Sequence, residues 1–144
     1  MFAKHFLLIA GLLLVASPAS PQELLDPEVA FQTTAKLIKP NLIEVRYLTA
    51  PGYYLYRDRL SYRLEPVAAL LGKPRLPAGK TKHDEFLGKQ VIYRKLTIVT
   101  LPLSAAVEAP VTLTTDLQGC ADLGVCYPPV RRKFTLSPST SLTR

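Results

Sequence analysis

The chain of 144 residues carries a formal net charge of +7, with 18 Lys and Arg against 11 Asp and Glu, and is 48% hydrophobic. That length holds one small domain with a core of its own, so folding calls for neither a metal nor a disulfide framework. Only Arg131, Arg132 and Lys133 form a basic block and no aromatic residues interleave with it, which argues against a nucleic-acid platform and for solvated surface that prefers acidic partners.

From the N-terminus, Lys4 and His5 precede an apolar run from Phe6 to Val15, and Ser17-Pro18-Ala19 places small residues where a signal peptidase cuts. A run this short with those flanks predicts a cleaved secretory signal over residues 1–19 rather than a membrane-spanning helix. No cysteine sits at that boundary to carry a lipid. The remainder divides into a domain over residues 20–136 and a polar tail, SPSTSLTR, over 137–144.

The domain reads as strands. Phe31 to Ile38 and Leu42 to Leu48 are extended runs separated by Lys39-Pro40-Asn41. In the second, Ile43, Val45 and Tyr47 share one face while Glu44 and Arg46 share the other, the period of two that a half-buried strand requires. Pro51-Gly52 predicts a turn, after which Tyr53 to Leu64 resumes extended structure. From Pro66 to Gly88 the chain is marked by Pro and Gly, and Val67–Leu71 is its one short helical candidate. Val91 to Leu103, rich in β-branched residues, is the strongest strand signal, followed by Val111 to Leu117 and Val130 to Leu136. Strands at this spacing, with no amphipathic helices between them, predict an all-β, antiparallel sandwich rather than a parallel sheet.

The two cysteines, Cys120 and Cys126, lie in the run QGCADLGVCYPP from Gln118 to Pro129. Export takes them to an oxidising compartment, where so near a pair bonds if geometry permits. Gly119 and Gly124 allow a tight turn, and Pro128-Pro129 prevents regular pairing just beyond it. A structural staple is one reading. By chain entropy, however, a loop of seven residues contributes only about 2.4 kcal/mol, against about 4.7 for a hundred-residue loop. A short surface disulfide is also one that another thiolate can reach, so a redox pair is the other reading. The residues by themselves leave both open. Metal binding is not expected: zinc needs three or four ligands, and His83 is the one histidine left beyond the signal. No nucleophile–base constellation stands out for hydrolysis.

Three segments together resemble one family. The run Gln118 to Pro129 is similar to the active-site motif of the N-terminal periplasmic domain of the thiol:disulfide interchange protein DsbD. Gly52 to Arg57 (GYYLYR) resembles that domain's tyrosine-rich loop, and Asp84 to Gly88 (DEFLG), followed by Ile92-Tyr93-Arg94, resembles the loop that caps its cysteines. The resemblance spans roughly Asp26 to Leu136.

It implies an immunoglobulin-like sandwich with an inserted cap loop, located in the periplasm. It also implies a thiol–disulfide oxidoreductase that relays electrons through Cys120 and Cys126. Cys126 would be the sulfur attacked in mixed disulfides and Cys120 its intramolecular partner. The cap would comprise Asp84, Glu85, Phe86, Leu87 and Gly88, with Phe86 lying over the disulfide until a partner displaces it. Tyr54, Tyr56, Gln118 and Tyr127 would support the site. The recipients implied are thioredoxin-fold periplasmic proteins of the disulfide isomerase and cytochrome c maturation kinds. A stand-alone domain would take its electrons from a membrane or thioredoxin-like donor in trans, and the disulfide itself would serve in place of a cofactor. Leu87 stands where the best-known members carry an aromatic residue, so cap packing is expected to differ in detail. The competing reading is an immunoglobulin-like adaptor whose disulfide only shapes a loop.

Overall fold

Period-two alternation with one buried face makes a strand bury its apolar set against a second sheet, and that is how this chain is built. The computed structural model describes residues 23–85 and 87–138. The signal expected over 1–19, Phe86 and the last six residues of the tail lie outside the described residues.

A single helical turn, α1 (Pro27–Ala30), leads into β1 (Phe31–Lys39), which pairs antiparallel with β2 (Leu42–Thr49) across the Pro40-Asn41 turn. β7 (Leu96–Pro102) completes this first sheet in the order β1-β2-β7. Ile43, Val45 and Tyr47 on β2 have no exposed surface, while Glu44 and Arg46 on its other face form an ion pair at 2.6 Å. A second sheet has the order β10-β8-β4, from β4 (Ser61–Glu65), β8 (Val111–Leu117) and β10 (Val130–Leu136). Leu64, Leu113, Leu117 and Leu136 join Ile43, Val45, Tyr47, Val99 and Leu101 in one core cluster between the two sheets. The Tyr47 hydroxyl crosses that core to Thr115 Oγ1 at 2.8 Å, so the buried phenol is not left unpaired. Burial pushes its pKa up to about 12. The result is an immunoglobulin-like β-sandwich.

A third sheet sits at the side, with order β5-β6-β3-β9 from β3 (Tyr53–Tyr56), β5 (Lys80–Asp84), β6 (Gly88–Tyr93) and β9 (Gly119–Ala121). All four β3 residues are buried, but on two different sides. Tyr53 and Leu55 enter the main core, whereas Tyr54 and Tyr56 form a separate cluster with Ile92 and Cys120.

Two long extended runs of the sequence each divide between sheets. Tyr53 to Leu64 breaks at a 3-10 turn, Arg57–Arg59, so that β3 joins the third sheet and β4 the second. Val91 to Leu103 breaks at Arg94-Lys95, where Lys95 adopts φ 61°, and β6 and β7 go to different sheets. Both breaks fall on charged residues, Arg57-Asp58-Arg59 and Arg94-Lys95, but charge inside an extended run equally marks a solvated strand face, so it does not report a change of sheet. The Pro- and Gly-marked stretch also holds a strand. β5 reads KTKHD and has no apolar residue to alternate, which is what an edge strand with solvated side chains permits. The helical candidate Val67–Leu71 contracts to a 3-10 turn over Ala68–Leu70.

Candidate functional site

The third sheet builds the site outward from β3. β9 pairs with it in the register Tyr53↔Ala121, Tyr54↔Cys120 and Leu55↔Gly119, so Cys120 lies beside the tyrosines. The approach is close enough to require glycine at the start of β9. A Cβ on Gly119 would lie 2.3 Å from the Tyr54 carbonyl oxygen and 2.6 Å from the Phe31 ring.

Beyond β9 the chain turns back on itself. Gly124, at φ 87°, donates its N–H to the Ala121 carbonyl at 3.0 Å, and Ala121 donates to Val125 at 2.8 Å. Tyr127 N–H closes the base on the Gly119 carbonyl at 2.9 Å. Cys120 and Cys126 thereby face each other across an isolated antiparallel bridge, Cα atoms 3.9 Å apart, and are joined as a disulfide. The pair is one-sided. Cys120 has no exposed surface, whereas Cys126 is exposed and lines an open cleft of about 520 Å³.

Tyr56 connects the disulfide to the opposite wall. Its hydroxyl donates to Asp84 Oδ2 at 2.7 Å, and its oxygen lies 3.4 Å from Cys120 Sγ and 4.0 Å from Cys126 Sγ. A disulfide sulfur has no proton to give, so the contact to Cys120 becomes an S–H···O hydrogen bond only once the bridge is reduced. Burial first, and then the Asp84 carboxylate, raise the Tyr56 phenol above its ordinary range and keep it protonated. Tyr54 packs edge-on against Tyr56, ring centroids 5.5 Å apart. Arg94 and Lys82 lie over the Tyr54 ring at 5.0 and 5.5 Å.

Asp84 ends β5 and opens the turn to β6, where Asp84 pairs with Gly88 and Gly88 takes φ 71°. Leu87 N–H donates to Asp84 Oδ1 at 2.9 Å, fixing the carboxylate on both sides. Glu85 and Leu87 line the same cleft as Cys126, so four of the five residues expected to form a cap gather at this hairpin tip. The fifth, Phe86, lies outside the described residues. Gln118 also lines the cleft and donates from Nε2 to the Tyr127 carbonyl at 3.2 Å. Tyr127 serves the loop from below. Its hydroxyl donates to the Leu25 carbonyl, and its ring packs edge-on against Phe31 at 5.4 Å.

Two residues of the site are not evident from sequence reading. Asp122, inside the cysteine loop, receives both ends of the Arg94 guanidinium, at 2.6 and 3.0 Å. Arg94 stands in the segment that resembles the cap loop and Asp122 in the cysteine motif, but nothing along the chain links one to the other.

This geometry can be set beside known proteins. The family model for the N-terminal part of the thiol:disulfide interchange protein DsbD matches residues 21–138. Among curated relatives, DsbD 1 of Pseudomonas aeruginosa is 38% identical over 112 residues, covering 78% of this chain and 19% of its own length. DsbD of Ralstonia nicotianae is 37% identical over 141 residues, covering 94% of this chain and 23% of its own length. The chain therefore spans about a fifth of the relatives it matches. Of solved structures, the reduced DsbD N-terminal domain of Neisseria meningitidis superposes with a TM-score of 0.74 at 40% identity, covering 80% of this chain and 90% of that one. A second, a complex of the DsbD and PilB N-terminal domains from Neisseria meningitidis, gives 0.69 at 38% identity, with 78% and 87% covered. With a family match over most of its length and a cysteine pair at disulfide distance, the chain belongs to the DsbD N-terminal domain family.

Proposed function

We propose that this domain is a periplasmic thiol–disulfide relay that passes electron pairs through Cys120 and Cys126 to thioredoxin-fold partner proteins. The observation that carries the reading is the one-sided burial of the pair, Cys120 enclosed and Cys126 open to the cleft. Exchange needs one sulfur that a partner can reach and a second that can resolve the intermediate.

In the reduced domain, the Cys126 thiolate attacks a partner disulfide, forming a mixed disulfide and releasing one partner thiolate. Cys120, as thiolate, then attacks Cys126 Sγ, restoring the internal bridge and releasing the second partner thiolate. Two electrons reach the partner, and the two protons lost by Cys120 and Cys126 balance those its thiolates take up. The disulfide is itself the redox group. Electrons return from a membrane or thioredoxin-like donor by the same exchange in reverse.

The hairpin tip with Asp84, Glu85, Leu87 and Gly88 acts as the cap, with Phe86 as the residue a partner displaces. Exposed Leu123, Val125 and Leu87 near Cys126 give a docking partner apolar area to cover. The Neisseria complex with a PilB N-terminal domain supports docking by another protein. Disulfide isomerases and cytochrome c maturation reductases are the recipients we expect.

The test is trapping. Reduced Cys120→Ala, mixed with an oxidised thioredoxin-fold protein, should accumulate a mixed disulfide on non-reducing gels, and Cys126→Ala should give none. Normal electron transfer by both single variants would rule the relay out.

A further inference from the structure

We propose that Arg94 is a positioning residue for the exchange, clamping the 120–126 loop so that Cys120 stays aimed at Cys126 while the bridge is open. This rests on the relay reading above and adds to it how the second step is kept fast.

Arg94 sits just past the end of β6, where the chain changes sheets, and is not itself in the cleft. Its guanidinium gathers three pieces of the site. Nη2 and Nη1 donate to Asp122 Oδ1 and Oδ2 at 2.6 and 3.0 Å, the fork geometry in which arginine binds a carboxylate best. Nη1 also donates to the Tyr53 carbonyl at 3.1 Å, tying the loop to β3. Its Cζ lies 5.0 Å from the centre of the Tyr54 ring, and Tyr54 is the register partner of Cys120. Asp122 is held from a second side, its N–H donating to the Gly52 carbonyl at 2.8 Å.

While the disulfide is closed, the covalent bond already fixes the loop and the clamp is redundant. In the mixed disulfide that bond is absent; β9 pairing still seats Cys120 beside Tyr54, and the clamp and the turn hydrogen bonds are what hold the rest of the loop so that Cys126 Sγ stays in line with Cys120 Sγ. Orientation of this kind converts directly into rate and ring-closure equilibrium. The ion pair holds the Asp122 carboxyl below the ordinary carboxylate range. The clamp is thus at full strength above the unfolded carboxylate pKa of about 3.9 and is lost only as pH falls through the lower folded value. At neutral pH it is fully formed.

The experiment equilibrates wild type, Arg94→Ala, Arg94→Lys and Asp122→Ala with glutathione, and follows the lifetime of the Cys126–glutathione mixed disulfide. Arg94→Ala should prolong that lifetime about tenfold, and an equal loss of ring-closure equilibrium makes the reduction potential less negative by about 30 mV. Arg94→Lys keeps the charge but not the fork, and should fall between wild type and Arg94→Ala. The effects of Arg94→Ala and Asp122→Ala should be non-additive in the double variant. Thermal unfolding of the oxidised forms separates positioning from general damage, because it should move little for so exposed a pair. Lifetimes and potentials equal to wild type in both single variants would overturn the clamp while leaving the relay standing. Failure of Cys120→Ala to trap any thioredoxin-fold protein through Cys126 would overturn the relay, and the clamp with it.

Discussion

One carboxylate, Asp84, and one phenol, Tyr56, stand closest to the chemistry proposed at the sulfurs. The Tyr56 hydroxyl bridges Asp84 and the pair, 2.7 Å from the carboxylate and 4.0 Å from Cys126 Sγ. A negative charge that near disfavours a thiolate, so on the proposed relay Cys126 is expected to be a reluctant nucleophile until a partner changes its surroundings. Asp84→Asn keeps an acceptor for Tyr56 and removes the charge. The Cys126 thiol pKa should then fall by on the order of one unit, and the reduced protein should alkylate several-fold faster at neutral pH. The pH profile of iodoacetamide labelling measures both. An unchanged midpoint would show that Asp84 does not tune the thiol.

At the scale of elements, β3 and β9 decide where the sulfurs stand. β3 buries Tyr53 and Leu55 in the sandwich and presents Tyr54 and Tyr56 on its other side, so the redox cluster is bolted to the core through one four-residue strand. The close approach of β9 depends on Gly119, where any side chain meets the Tyr54 carbonyl and the Phe31 ring. Gly119→Ala should cost about 2–3 kcal/mol in urea unfolding, as overpacking in a tight interior does. It should also displace Cys120 from Tyr54, and exchange kinetics would register the shift. Stability unchanged within error would mean that β9 has more room than its contacts indicate.

Much of this was legible in the chain. Alternation in Leu42 to Leu48 marked the buried face of β2 correctly, and the motif from Gln118 to Pro129 located the disulfide. The cap and tyrosine segments, distant in sequence, line one cleft. What stayed hidden has physical causes. β5 is an edge strand without apolar residues and leaves no periodic signal. The breaks at Arg57–Arg59 and Arg94-Lys95 are charged, and a few charged residues in an extended run read equally well as the solvated face of one strand. The Arg94–Asp122 ion pair joins residues 28 positions apart, and complementary charge at that range has no pattern along the chain.

At the scale of the whole molecule, the sandwich supplies rigidity and the third sheet supplies chemistry. The core cluster lies mainly between the two main sheets, joined by Tyr53 and Leu55 of β3, Tyr93 of β6 and Ala121 of β9, while the residues lining the disulfide cleft come from the third sheet or from the loops attached to it. On the proposed relay, that division leaves the cap hairpin and the cysteine loop as the parts that rearrange during exchange. It also separates a working redox pair from a staple, since a bridge spanning only the 120–126 loop ties no part of the sandwich to another. A relay therefore differs from a staple in its redox poise. The reduction potential of Cys120–Cys126, measured against glutathione or a dithiol buffer, tests it most directly. A working relay should give a value above about −300 mV, in the range where thioredoxin-fold proteins exchange electrons. A value well below about −300 mV, where inert structural bridges lie, would contradict it.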